Sequence, residues 1–199
     1  MKHKIGFMQG RLSDPVEGQI QSFPWKNWEE EFQTARSIDI ALMEWTLDDL
    51  KLFQNPLMTN QGIFRIQSLS KKFNLKIKSL TGDCFMQKPF WKLNSPIADL
   101  YKNKFIKVCE SSSRLGIEII VIPLVDNGSL ENNIQEDDLV DYLIEFTPSL
   151  NKLNLKLAFE SDFEPKKLAG FINRFPSNRF GINYDTGNSA SLGFDPLEE

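Results

Sequence analysis

Two acidic side chains close apolar runs, where carboxylates could meet a cation: "LKLAFE" ends on Glu160 and "RFGINYD" ends on Asp185. If both runs are buried strands of one parallel sheet, their last side chains emerge together at its carboxyl edge. In an α/β barrel that edge is the catalytic face. A glutamate and an aspartate from adjacent strands offer the oxygen donors that suit one hard or borderline divalent cation such as Mn²⁺, Mg²⁺, Co²⁺ or Zn²⁺. The segment after Asp185, "TGNSASLG", is built from small and polar residues, which allows backbone and ligand to approach closely. Glu44, Asp83 and Asp126 also fall near the ends of apolar runs. Asp83 in "TGDC" and Asp126 in "VDNG" are accounted for by the turn preference of aspartate and are set aside.

Six runs must position these acids: "KIGFMQ" from Lys4, "ALMEW" from Ala41, "LKIKSL" from Leu75, "IEIIVIP" from Ile117, "LKLAFE" from Leu155 and "RFGINYD" from Arg179. They recur about every 35 residues, close to the roughly 31 per unit of an eight-unit barrel. Helical patterns fill the gaps, an alternation that predicts parallel strands joined by crossover helices. A doubly wound sheet alternates in the same way, but the first run leads into "QGRLS" and not into a Gly-x-Gly-x-x-Gly turn.

Asn27 is expected to cap the helix that starts in "NWEEEF", with three acids in its first turn. Ile97, Leu100, Tyr101, Phe105, Val108, Cys109 and Leu115 recur at helical spacing before the stop at Gly116. Pro165 suits a first helical position, with Asp162 or Ser161 as the cap. Pro148 is expected to bend or end the helix beginning near Glu136. "TGDCFMQKPFWKLNSP" reads as a long aromatic loop at the catalytic face, with Phe85 and Trp91, together with Trp25, as pocket walls.

The chain has 199 residues, 41% of them hydrophobic, and a formal charge of −4, which fits one soluble domain with a single core. No basic block is present to track a phosphate backbone, so nucleic acid is excluded as an expected partner. No apolar stretch reaches the roughly 20 residues of a membrane span. Cys84 and Cys109 make neither a metal motif nor a disulfide framework, which points to a reducing cytoplasm.

"MQGRLS", "QSFPWKNWEEEFQTA", "MEWTLD", "FES" and above all "NYDTGNSASLGFDP" resemble the xylose isomerase-like barrel family, in its sugar-phosphate isomerase and epimerase branch. The resemblance covers essentially the whole chain. It implies an α/β fold of the (β/α)8 TIM-barrel type over residues 1–199, with about six βα units present and the last two lacking. Members of that family bind one divalent metal through a Glu ending the fifth strand, an Asp ending the sixth, a His from the seventh and a Glu from the eighth. Glu160 and Asp185 match the first two; the others have no counterpart. His3, the sole histidine, precedes the first strand at the opposite end of the barrel and is read as a surface residue.

The implied reaction is proton abstraction next to a carbonyl of a sugar or sugar phosphate, through a metal-stabilised enediolate. Glu160 would be both a catalytic carboxylate and a ligand, and Asp185 a ligand. Asn188 would contact sugar hydroxyls, although many epimerases of the wider family have a histidine there, which weakens any transfer of substrate identity. Glu44 resembles a strand-two acid that faces the pocket, and would hold a hydrogen bond at the barrel mouth or a substrate hydroxyl. Arg11 either receives a phosphate or carboxylate of the substrate through its planar fork or pairs with a strand-end acid.

Two other function classes stand beside the enzyme. Six units leave two open sheet edges that invite pairing with other chains, so a truncated, non-catalytic barrel acting in binding or assembly is one, and a homo-oligomer is compatible with it. A metal-dependent endonuclease on the same barrel is the other, opposed by the acidic balance.

Overall fold

The computed structural model describes residues 5–16, 18 and 22–199. His3 and Lys4 lie outside them. Six strands form one parallel sheet in chain order: β1 (Phe7–Met8), β2 (Leu42–Thr46), β3 (Lys76–Thr81), β4 (Ile119–Leu124), β5 (Lys156–Ser161) and β6 (Phe180–Ile182), with β1 and β6 at the edges. The helices are α1 (Glu30–Ser37), α2 (Asn60–Phe73), α3 (Asp83–Gln87), α4 (Ile97–Leu115), α5 (Asn133–Leu153), α6 (Pro165–Ile172) and α7 (Thr186–Leu192). This is the expected α/β alternation, with six strands of a TIM-barrel type sheet.

One joint recurs where a helix turns back into the sheet. α2, α4 and α5 each end on a left-handed residue, Asn74, Gly116 and Asn154. The next residue is apolar and buried: Leu75, Ile117 and Leu155. Its N–H reaches back to the last helical turn, from Leu75 to Ser70 O at 3.1 Å, from Ile117 to Ser112 O at 3.0 Å and from Leu155 to Leu150 O at 3.0 Å. Such a joint satisfies orphan carbonyls and inserts an apolar plug at once. It therefore fixes where each following strand starts.

Alternate strand residues face the helices and build the core. Trp45, Leu80, Ile120, Ile122, Leu157 and Phe159 are all buried there. Phe159 sits among Phe171, Phe175 and Phe180 at ring centroid distances of 5.1, 5.0 and 6.1 Å. The opposite parity of β5 and its continuation carries Glu160.

Several local expectations are corrected. Asn27 does not cap α1: the residue before that helix is Glu29, with no side-chain cap, and the Asn27 carbonyl instead closes a turn to Glu30 N at 2.9 Å. Pro148 lies inside α5, which continues to Leu153. Leu139, Val140 and Leu143 before it and Leu150 after it are buried, so packing on both sides carries the helix past the missing hydrogen bond. Pro165 opens α6 as expected, but neither Ser161 nor Asp162 caps it. Ser161 Oγ instead accepts Phe163 N–H at 3.1 Å, and Asp162 accepts the Ser129 hydroxyl. Ile97 and Leu100 are exposed on α4.

The aromatic segment after β3 is not an open loop. It folds into α3 and a 3-10 turn at Phe90–Lys92. Phe85 and Trp91 are buried in the core, where Phe85 meets Phe105 at 5.3 Å and Trp91 Nε1 donates to Gly128 O at 3.1 Å. Both are core packing.

Phe159 directly precedes Glu160, so the core and the carboxyl edge share a strand. Replacing it with alanine is expected to cost about 3–5 kcal/mol, read as a lower urea midpoint. A loss below about 1 kcal/mol would contradict this account of the core.

Candidate active site

Parallel pairing brings the ends of β5 and β6 together. β5 and β6 register Phe159 against Ile182, and Asn183 N donates to Phe159 O at 2.9 Å. The next inward side chains are thus Glu160 on one strand and Asn183 just past the other. Asn183 Nδ2 donates to Glu160 Oε2 at 2.9 Å. Asn188 Nδ2 donates to Glu160 Oε1 at 2.7 Å. Both oxygens of one half-buried carboxylate are therefore held by side-chain amides.

Asp185 differs from its expected placement. The ladder of β6 stops at Ile182, and Asp185 is instead the N-cap of α7. Its Oδ1 accepts Gly187 N at 2.7 Å and Asn188 N at 3.0 Å. This explains the small residues that follow: a Cβ on Gly187 would lie 3.1 Å from Asp185 Oδ1, tight for that turn. Asn188 consequently touches both acids, Asp185 through its backbone and Glu160 through its side chain.

Charge and burial act on the same group. Burial raises the Glu160 pKa above the ordinary carboxylate range, and the negative charge of Asp185 raises it further; Glu44 adds a smaller push, while the Asn183 and Asn188 amides pull it down. Glu44 is raised as well, by burial, against a hydrogen bond from Ser79. Glu44 and Ser79 pair across β2 and β3 and line a cavity of about 320 Å³ along β1, β2 and β3. Glu160 thus feels the charge of both Asp185 and Glu44.

Arg11 is exposed in the loop after β1 and is not among the groups that shift Glu160. Its flanks are held by a residue that sequence reading assigned only to the helix dipole. Glu31 on α1 is fully buried and accepts Gly10 N at 2.9 Å and Leu12 N at 3.1 Å. Asp48, also buried, accepts Phe23 N at 2.8 Å and Gln87 Nε2 at 3.0 Å, tying three loops of the carboxyl edge together. Nothing in a run of three glutamates singles out Glu31. Asn183 did carry a signal: it stands two residues before Asp185, a spacing that places both on one side of an extended strand.

The donor set suits a hard divalent ion. Two carboxylates from adjacent segments repel each other, and the charges acting on Glu160 are those of other acids. Among the described residues, no three His, Cys, Asp or Glu side chains converge as a metal cluster. A cation here would take two protein carboxylates and complete its shell with other oxygen donors, a familiar arrangement for Mg²⁺-like ions.

No protein-family model and no curated protein matches this sequence. Solved structures do match its fold. A xylose isomerase domain protein from Planctomyces limnophilus aligns at TM-score 0.65 and 10% identity, over 93% of this chain and 64% of that one. D-psicose 3-epimerase from Clostridium cellulolyticum H10, solved with D-tagatose, aligns at 0.71 and 9% identity, over 93% of this chain and 64% of that one. The IOLI protein with a bound zinc atom aligns at 0.69 and 12% identity, over 98% and 67%. The chain has the α/β TIM-barrel type fold of xylose isomerase-like proteins and spans just under two thirds of the first two. Among the described residues no helix is long and apolar enough to cross a membrane.

The raised Glu44 pKa sets a pH dependence. A carboxyl group whose folded pKa lies above its unfolded value favours the folded state fully below about pH 4.3, the unfolded glutamate value, and loses that contribution as pH rises through the folded value. The stability of wild type relative to Glu44→Gln is therefore expected to fall as pH rises above about 4.3, measured by urea denaturation. A difference that is flat or rises with pH would refute the burial of this group.

Proposed function

We propose that the Glu160–Asp185 site serves a sugar isomerase or epimerase activity, by removal and return of a proton on a carbon next to a carbonyl. The observation that supports this most is a half-buried glutamate, raised in pKa and oriented through both oxygens, beside an aspartate at the carboxyl edge of a barrel-type sheet. The activity of a whole protein of this kind extends over more chain than the 64% of those structures matched here.

Glu160 is the proton-transfer group in this reading. A carboxylate whose pKa is raised is a stronger base than one of ordinary pKa. Glu160 and Asp185 would hold one divalent ion, Mn²⁺, Mg²⁺, Co²⁺ or Zn²⁺, which when bound supplies Lewis-acid polarisation of the substrate carbonyl. Glu44 offers an acceptor to a sugar hydroxyl from across the sheet. Asn188 is committed to Glu160 through its NH₂, which leaves its carbonyl oxygen as the atom for a sugar hydroxyl. Arg11, on its anchored loop, would meet a charged substituent. The ligand class is a small sugar, phosphorylated or not.

Solvent deuterium incorporation into ketohexoses with Mn²⁺ present tests the reading. Glu160→Gln is expected to lower the exchange rate by about a hundredfold or more, the scale of a lost general base. Asp185→Asn keeps a good helix cap but removes the charge, so it should raise the Mn²⁺ concentration needed. Exchange by Glu160→Gln at the wild-type rate would exclude Glu160 as the base.

A further inference from the structure

We infer that Asn183 and Asn188 are positioning residues that clamp Glu160 and set its carboxylate at a fixed spacing from that of Asp185, for a single divalent cation. The inference rests on the reading of Glu160 and Asp185 as ligands and goes beyond it by naming what holds them.

Two like charges on neighbouring segments move apart unless something restrains them. A glutamate has three side-chain torsions with which to do so, and ordering them costs conformational entropy. Here the restraint is explicit. Asn183 Nδ2 holds Oε2 at 2.9 Å and Asn188 Nδ2 holds Oε1 at 2.7 Å, from two different segments. Two donors, one on each oxygen, restrict both the position and the plane of the carboxylate, which a single bond would leave free to rotate. Only the NH₂ side of an amide can face a carboxylate, so the orientation of both side chains follows from the contact.

Asn188 also fixes the second acid. Its backbone N–H donates to Asp185 Oδ1 at 3.0 Å, so one residue spans both carboxylates. Asn183, just past β6, is tied to β5 by its own N–H, on Phe159 O at 2.9 Å, immediately before Glu160. Each clamp residue is thus anchored by backbone while its side chain grips the acid.

Mn²⁺ affinity, measured by calorimetry and by electron paramagnetic resonance of the bound ion, decides the matter. Asn183→Ala and Asn188→Ala are each expected to weaken Mn²⁺ binding about 10- to 100-fold, the usual effect of removing a partner of a metal ligand. The bound-ion spectrum should broaden as the ligand geometry loosens. Asn188→Gln, which keeps an amide donor, should recover part of the affinity. Asn183→Ser and Asn188→Ser give the same reading should an alanine variant not fold. Wild-type affinity and spectrum in the asparagine variants, with binding lost in Glu160→Gln and Asp185→Asn, would overturn the clamp and leave the ligands standing. Wild-type affinity in Glu160→Gln and Asp185→Asn would overturn the ligand assignment and the clamp with it.

Discussion

The parallel pairing of β5 with β6 is the constraint on which the site depends. Because Phe159 lies opposite Ile182, the residues that follow on each strand turn to the inner face side by side. Phe159 closes the core on the other face among three more phenylalanines. A slip of one residue would send Glu160 into that aromatic cluster and Phe159 into the acidic mouth. Register is therefore held from both sides, by apolar burial beneath and by amide hydrogen bonds above. The αL joints at Asn74, Gly116 and Asn154 do the same for the entry of β3, β4 and β5.

A consequence is electrostatic. The geometry that aligns the strands also brings Asp185 and Glu44 within reach of Glu160. Burial of Glu160 disfavours its ionised form, and each neighbouring acid adds to that, while the two amides offset part of it. A cation bound there would offset the repulsion that Asp185 and Glu44 exert on Glu160. Opposing tendencies of this kind, maintained by a rigid scaffold, are common where charge is put to use.

Much of this arrangement was legible in the chain. Strand runs ending near Glu160 and Asp185, the αL stop at Gly116 and the first helical proline at 165 follow from local rules of burial and backbone freedom. What was not legible depends on partners distant in sequence. Glu31 looks like its two glutamate neighbours until the fold turns it toward Gly10 and Leu12. Pro148 reads as a breaker because the leucines that hold its helix act only once packed. The aromatic run after β3 has the composition of a binding loop, yet its rings meet Phe105 and Tyr142 on the next two helices. Asn183 is hard to read for a different reason: asparagine beside a strand end is so ordinary in turns that its period-two relation to Asp185 stands out little.

Asp185 shows why single roles cannot be read from this segment one residue at a time. Its Oδ1 ends two orphan N–H groups of α7, and one of them belongs to Asn188, whose side chain in turn holds Glu160. Removal of the whole side chain would release the helix start, then Asn188, then Glu160, so its effect would exceed the loss of one negative charge. Removing the charge alone, with the cap retained, separates these contributions, since asparagine caps a helix about as well as aspartate. The same coupling makes substitutions at 185 and 188 non-additive, because residues in one hydrogen-bond network share the free energy that each appears to contribute. The cap, the clamp and the acidic pair are one connected unit, and its sequence is the short stretch from Asn183 to Asn188.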